Sequence, residues 1–125
     1  MMFDTDVLIW ILRGNENAAR LIEDADDRCL SVVSYMELLQ GARDRQESRT
    51  IKGFLGDFGF RVLPLTENVG HRASIYIEEY ALKSRLCMAD ALVAATAVEN
   101  GVALCTADRK HYRLVKDLEI STFRP

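Results

Sequence analysis

Short apolar runs alternate along this chain with longer stretches in which apolar positions recur at helical spacing, and that alternation predicts strands and helices in turn. Met1 to Asp4 reads as a first strand, Thr5-Asp6 as a cap, and Val7 to Leu12 as a helix ended by Gly14-Asn15. Asn17 to Ala25 continues as a second helix with Ala18, Leu21, Ile22 and Ala25 on one face. Arg28 to Val33 is β-rich, and Ser34 opens a further helix, SYMELLQGARD, interrupted at Gly41. The next segment, RQESRTIKGFLGDFG, has the alternating charge of an outward helix face and is predicted to break at Gly53, Gly56 and Gly59. Phe60 to Leu63 is a strand closed by Pro64, and Thr66 to Leu82 a long amphipathic helix with Val69, Ala73, Ile77, Tyr80 and Ala81 as its buried stripe. Leu86 to Asn100 is a nearly apolar helix with Asn100-Gly101 as its stop, Val102 to Cys105 a strand, and Leu118 to Phe123 a last, edge strand.

Strands alternating with helices predict an α/β domain over residues 1–125. Its expected form is a three-layer α/β/α arrangement around a mostly parallel sheet of four to five strands. Ligand sites in such folds lie at the carboxyl ends of the strands. Asp4 ends the first strand, Glu37 lies in the helix after the second, and Asp108 follows the fourth, so the three belong to one edge.

The remaining acid is an oddity of the pattern. Asp90 is the single carboxylate within Leu86–Asn100, on a face with Leu86, Cys87, Val93, Ala94 and Ala97 that ought to be buried. An unpaired carboxylate out of water costs several kcal/mol, so a chain that keeps one there pairs it or uses it. Each acid alone has an ordinary structural role open to it. Asp4 or Asp6 suits an N-cap, Glu37 three residues after Ser34 fits a capping box, Asp90 suits a first helical turn, and Asp108 can cap the turn after it. Four caps have no reason to converge on one edge, whereas a divalent cation gives them one. Mg²⁺ or Mn²⁺ takes hard oxygen ligands, keeps several waters, and uses one or two carboxylates directly.

Composition narrows the alternatives. With 49% hydrophobic and 28% charged residues the chain has ordinary globular values, and its longest apolar runs are too short to span a bilayer. Asp4 and Asp6 stand where a signal sequence needs a basic start and an apolar middle, so a cytoplasmic location is expected. Cys29, Cys87 and Cys105 are far apart and without a C-x-x-C pair, which fits reduced core thiols better than disulfides or zinc. His71 and His111 have no partner at ligand spacing and read as surface residues. Neither G-x-x-x-x-G-K-[ST], G-x-G-x-x-G nor G-x-S-x-G occurs, so nucleotide-cofactor and serine-hydrolase chemistries lack support. A net charge of −3 is not the footprint of a broad nucleic-acid-binding face.

Four segments together resemble the PIN-domain nucleases, and among them the VapC-type toxins of type II toxin–antitoxin pairs. They are Phe3-Asp4-Thr5-Asp6-Val7-Leu8-Ile9, Ser34-Tyr35-Met36-Glu37-Leu38, Asp90-Ala91-Leu92-Val93-Ala94-Ala95-Thr96-Ala97 and Leu104-Cys105-Thr106-Ala107-Asp108. The resemblance spans essentially the whole chain and implies a PIN-like fold with Asp4, Glu37, Asp90 and Asp108 as the catalytic and metal-binding acids. It further implies a Mg²⁺- or Mn²⁺-dependent endoribonuclease, a homodimer, and silencing by an antitoxin through which alone DNA would be contacted. Asp6 departs from the Ser or Asn of many members; as ligand or as cap, it adds a fifth acid.

Such a site hydrolyses a phosphodiester by activated water and leaves 5′-phosphate and 3′-hydroxyl ends. Thr106 is a candidate water or phosphate contact. Arg109, Lys110, His111, Arg113 and Lys116 after Asp108, and Arg43, Arg45, Arg49 and Lys52 after the Glu37 segment, are candidates to hold RNA, although solvated helix faces explain either run as well. Tyr35 and Tyr112 could stack on bases or be buried. Three rivals stand beside this expectation: a housekeeping RNA-processing enzyme of the same fold, a catalytically silent binding module, and a phosphoacceptor receiver domain. The last would need an acid at the end of the third strand, where this chain has Leu63-Pro64-Leu65-Thr66.

Overall fold

The structure is a computed structural model describing residues 1–125. The elements run β1 (Met2–Phe3), α1 (Thr5–Leu12), α2 (Glu16–Asp24), β2 (Cys29–Ser31), α3 (Val32–Gln40) and α4 (Arg45–Asp57). They continue as β3 (Arg61–Leu63), α5 (Glu67–Tyr80), α6 (Met88–Glu99), β4 (Leu104–Thr106), α7 (Arg109–Tyr112) and β5 (Ile120–Thr122). The five strands form one all-parallel sheet in the order β3-β2-β1-β4-β5.

Successive residues of a strand face opposite sides, and here that alternation divides the core in two. Met2, Cys29 and Leu104 pack toward α5 and α6, while Phe3, Leu30 and Cys105 pack toward α1 to α4. The result is the three-layer α/β/α architecture expected from the sequence, with both faces of short, apolar, parallel strands covered. No helix is long and apolar enough to cross a membrane.

The chain leaves β1 in one direction to build β2 and β3, then returns to the other side of β1 for β4 and β5. Between β1 and β4 lies the switch point where loops diverge and a crevice opens. Arg72 braces the face opposite α1 to α4 by bonding Glu99 of α6 at 2.7 Å and Asp117 at 2.9 Å.

Several boundaries differ from expectation, each for a local reason. Ser31, not Ser34, caps α3: its side chain accepts from Val33 N at 2.9 Å, and Ser34 is buried within the helix. The capping box expected of Ser34 and Glu37 is therefore absent. Helix α4 runs unbroken through Gly53 and Gly56, held by buried Ile51 and Leu55, and only Gly59 beyond its end takes a positive φ, of 66°. In α5, Val69 and Ala73 are buried as expected, but the third buried residue is Tyr76, whereas Ile77, Tyr80 and Ala81 are only half-buried. Cys29 and Cys105 are buried thiols, but Cys87 is exposed.

Candidate active site

Each acid reaches the crevice through the backbone that precedes it. Asp4 stands directly after β1 in extended conformation and caps α1, accepting from Thr5 N at 2.9 Å through Oδ1. Asp6, in the first turn, accepts from Val7 N at 2.7 Å through its own Oδ1. These backbone bonds occupy one oxygen of each, and the other, Oδ2, faces the end of β4.

Thr106 meets them there, fully buried. Its Oγ1 lies 2.8 Å from Asp4 Oδ2 and 3.4 Å from Asp6 Oδ2, and accepts from Asp108 N at 3.0 Å. A hydroxyl has one proton to give, and the shorter distance assigns it to Asp4; Asp6 Oδ2 is served by Ala107 N at 3.0 Å. Thr106 thereby joins β1 and β4 chemistry from beneath, and with its hydroxyl engaged it is not the open substrate contact the sequence suggested.

Asp90 enters from the first turn of α6, where its Oδ2 lies 3.3 Å from Cys87 N and 3.1 Å from Cys87 Sγ. This is a capping role, yet its Oδ1 also accepts from Tyr112 Oη at 3.3 Å. Asp108 precedes α7 without forming a side-chain cap, and its Oδ2 meets His111 Nδ1, which lies 3.9 Å from Asp90 Oδ2. Glu37, on the exposed side of α3, accepts from Thr5 Oγ1 at 2.8 Å. These contacts join the site into one open circuit, Asp4–Thr106–Asp108–His111–Asp90–Tyr112, in which Thr106 meets Asp108 through its backbone N–H, with Asp6 joined through Thr106 and Glu37 through Thr5.

All five acids are therefore at one edge. Asp4 does act as the N-cap of α1 and Asp90 bonds back to the N-cap residue of α6 from its first turn; Asp6 lies within the first turn of α1 without capping it, and Glu37 and Asp108 make no cap bond. Two residues touch the acids in a way the sequence reading did not assign to them. His111 is not a free surface residue but leans over two carboxylates, and its spacing of three from Asp108 in a helical segment was the available signal. Tyr112 is 1% exposed, so it is unable to stack on a base. Its phenol sits beneath Asp4 and Asp90, and burial followed by those two charges pushes its pKa far up, so it stays protonated and donates to Asp90 Oδ1.

The electrostatics are those of a site short of positive charge. Burial first, then the neighbouring Asp6, raises the Asp4 carboxyl from 3.8 to about 7 against the hydrogen bonds that lower it. Burial also raises Asp6, with Asp108 adding to the effect. No three of these side chains already surround one point as a ready cage. The donor set still fits a hard cation that binds one or two carboxylates and reaches the rest through water, because every candidate atom is a carboxylate oxygen. Arg109 and Lys110 stand exposed on α7 beside Asp108, while Arg43 is held by Glu47, Nε to Oε1 at 2.6 Å. A cleft of about 530 Å³ between α1, α3 and α4 opens beside Glu37, lined by Ile9, Leu12, Leu38 and Ile51 among others.

No curated protein matches the chain by sequence. Among solved structures it resembles a toxin–antitoxin complex from Klebsiella pneumoniae (TM-score 0.81, 23% identity, covering 97% of this chain and 95% of that one). It is similarly close to the DNA-bound VapBC of Salmonella typhimurium (0.81, 19%, 97% and 96%) and to FitAcB of Neisseria gonorrhoeae (0.74, 23%, 95% and 94%). At these identities the likeness is one of fold. The acids gathered where β1 and β4 diverge lie within a match of residues 1–117 to the PIN domain, and the chain belongs to the PIN domain family.

Proposed function

We propose that the chain is a Mg²⁺- or Mn²⁺-dependent endoribonuclease, the toxin of a type II toxin–antitoxin pair. The observation that carries this is the cluster of Asp4, Glu37, Asp90 and Asp108 at the β1/β4 switch point, with Asp4 driven to about 7 by burial and by Asp6. Carboxylates that destabilise one another in this way are stabilised by a cation between them.

Asp4, Asp90 and Asp108 would hold the ion, with Glu37 at the rim and Asp6 in direct or water-mediated reach. A bound divalent ion supplies acidified water and neutralises charge on the phosphodiester. The protein's residues do the rest. Thr106 fixes the orientation of Asp4, and Tyr112 that of Asp90. Glu37, whose Oε2 makes no protein hydrogen bond, is placed to accept a proton from the attacking water. Arg109 and Lys110 hold the flanking phosphates. Attack of water on phosphorus with departure of the 3′ oxygen leaves 5′-phosphate and 3′-hydroxyl ends.

The toxin assignment rests on fold likeness to subunits of toxin–antitoxin complexes and on the half-apolar cleft that leads to Glu37, suited to a segment of an antitoxin. A homodimer would cover Leu82 and Met88, exposed apolar residues flanking the α5–α6 connection. The site of action proposed for such a protein is the cytoplasm, with DNA reached only through the antitoxin. Incubation of the purified chain with total RNA and Mg²⁺ or Mn²⁺ should give 5′-phosphorylated fragments, and chelation or Asp108→Asn should stop it. Absence of cleavage with either metal would overturn the nuclease assignment.

A further inference from the structure

His111 is the member of the circuit that no core or capping requirement accounts for. It belongs to α7, and 32% of its side chain is exposed, so solvent was open to it; instead Nδ1 turns onto Asp108 Oδ2 and stands 3.9 Å from Asp90 Oδ2. The other acids on this edge each have an anchor of their own. Asp4 and Asp6 accept from backbone N–H groups, Asp90 from Cys87 N and Tyr112, and Glu37 from Thr5. Asp108 has none of these. Its side chain makes no cap and is 41% exposed, and His111 is its one protein partner. Without that contact the carboxylate would sample several rotamers, and a cation would have to order it on binding.

We propose that His111 is a positioning residue whose Nδ1–H holds the Asp108 carboxylate on the Asp90 side of the site, ready to receive the metal. The inference rests on the metal-dependent function proposed above. It assigns to His111 the role a hydrogen-bonding neighbour plays in orienting a ligand, an interaction typically worth about 10- to 100-fold in metal affinity.

The test is Mn²⁺ binding to the metal-free full chain, followed by electron paramagnetic resonance at fixed pH, for the parent, His111→Ala, His111→Asn and His111→Gln. An Asn amide can place an N–H where Nδ1 stands, whereas a Gln amide reaches the Nε2 position. The expected result is a loss of about 10- to 100-fold in affinity for Ala and Gln, and retention within about threefold for Asn. The melting temperature of the metal-free variants should stay near the parent's. Affinity in His111→Ala equal to the parent's overturns the proposal. So does tighter binding, because His111 would then be competing with the metal, and so does an Asn variant as weak as Ala. Should His111→Ala fail to fold, equal affinities of the Asn and Gln variants overturn it on their own. A parent chain that binds no Mn²⁺ overturns the metal-dependent function itself, a result distinct from a binding parent with an indifferent His111→Ala.

Discussion

Asp4 bears the largest electrostatic cost on the acidic edge, being 8% exposed and facing Asp6, and its carboxyl is raised from 3.8 to about 7. Between those values the folded chain keeps a proton that the unfolded chain has released. The support this group gives the metal-free fold is therefore complete below about pH 4 and is lost as pH rises toward and through 7. Asp6, raised in the same direction, adds to the loss. Asp4→Asn should remove most of it, because the amide oxygen still accepts from Thr5 N and no charge is buried. Urea unfolding of the metal-free protein should show Asp4→Asn more stable than the parent by roughly 2–4 kcal/mol at pH 7.5, with little difference at pH 4. An Asn variant weaker than the parent at pH 7.5 would mean that the carboxylate is structural. The acids themselves were legible, since four segments place them after strands or in helix turns. What hides in the sequence is the cross-chain hydrogen bonding: nothing local says that Thr106 serves Asp4 across about a hundred residues, or that Tyr112 lies beneath Asp90.

Helices and strands were legible where a single period dominates, as in α5 and α6, and less so where local preferences compete with packing. Val32 and Val33 extend the β-rich run of Arg28–Val33, but the β2 ladder with β3 stops at Ser31↔Leu63, so the chain turns into α3 three residues earlier than Ser34 predicts. That shift moves Glu37 from the first helical turn, where it would have capped, to the second, where it bonds Thr5 instead. In α4 the glycines lose the competition: burial of Ile51 and Leu55 outweighs two residues that each cost about 0.5–1 kcal/mol relative to alanine in a helix interior. Both glycines are exposed, and a Cβ added to either meets nothing within 4 Å. Gly53→Ala and Gly56→Ala should thus each raise stability by about 0.5–1 kcal/mol, visible as a higher melting temperature with unchanged cleavage. Destabilisation by either would show that α4 needs glycine at that position for a reason other than the helix breaks expected from the sequence.

At the scale of the molecule, the difficulty for the proposed RNA cleavage is charge. The chain is −3 overall, with five acids concentrated at the edge where, on the proposed function, RNA phosphates would arrive. A divalent ion offsets part of that field, and the remainder falls to cations that no carboxylate of the protein already holds. Arg109 and Lys110 meet that condition, exposed and without an ion pair next to Asp108; Arg43 does not, because Glu47 binds it through both its side chain and its backbone N–H. Each phosphate contact to a single strand contributes about 0.7 to the slope of log affinity against log salt. In an Asp108→Asn background that prevents cutting, replacing Arg109 and Lys110 together by alanine should weaken RNA binding and flatten that slope by about 1.4, whereas Arg43→Ala should leave the slope in place. Filter binding between low and moderate salt distinguishes the two. A slope insensitive to Arg109 and Lys110 would place the RNA path on another face, with the exposed Arg45, Arg49 and Lys52 of α4 as the next cations to remove.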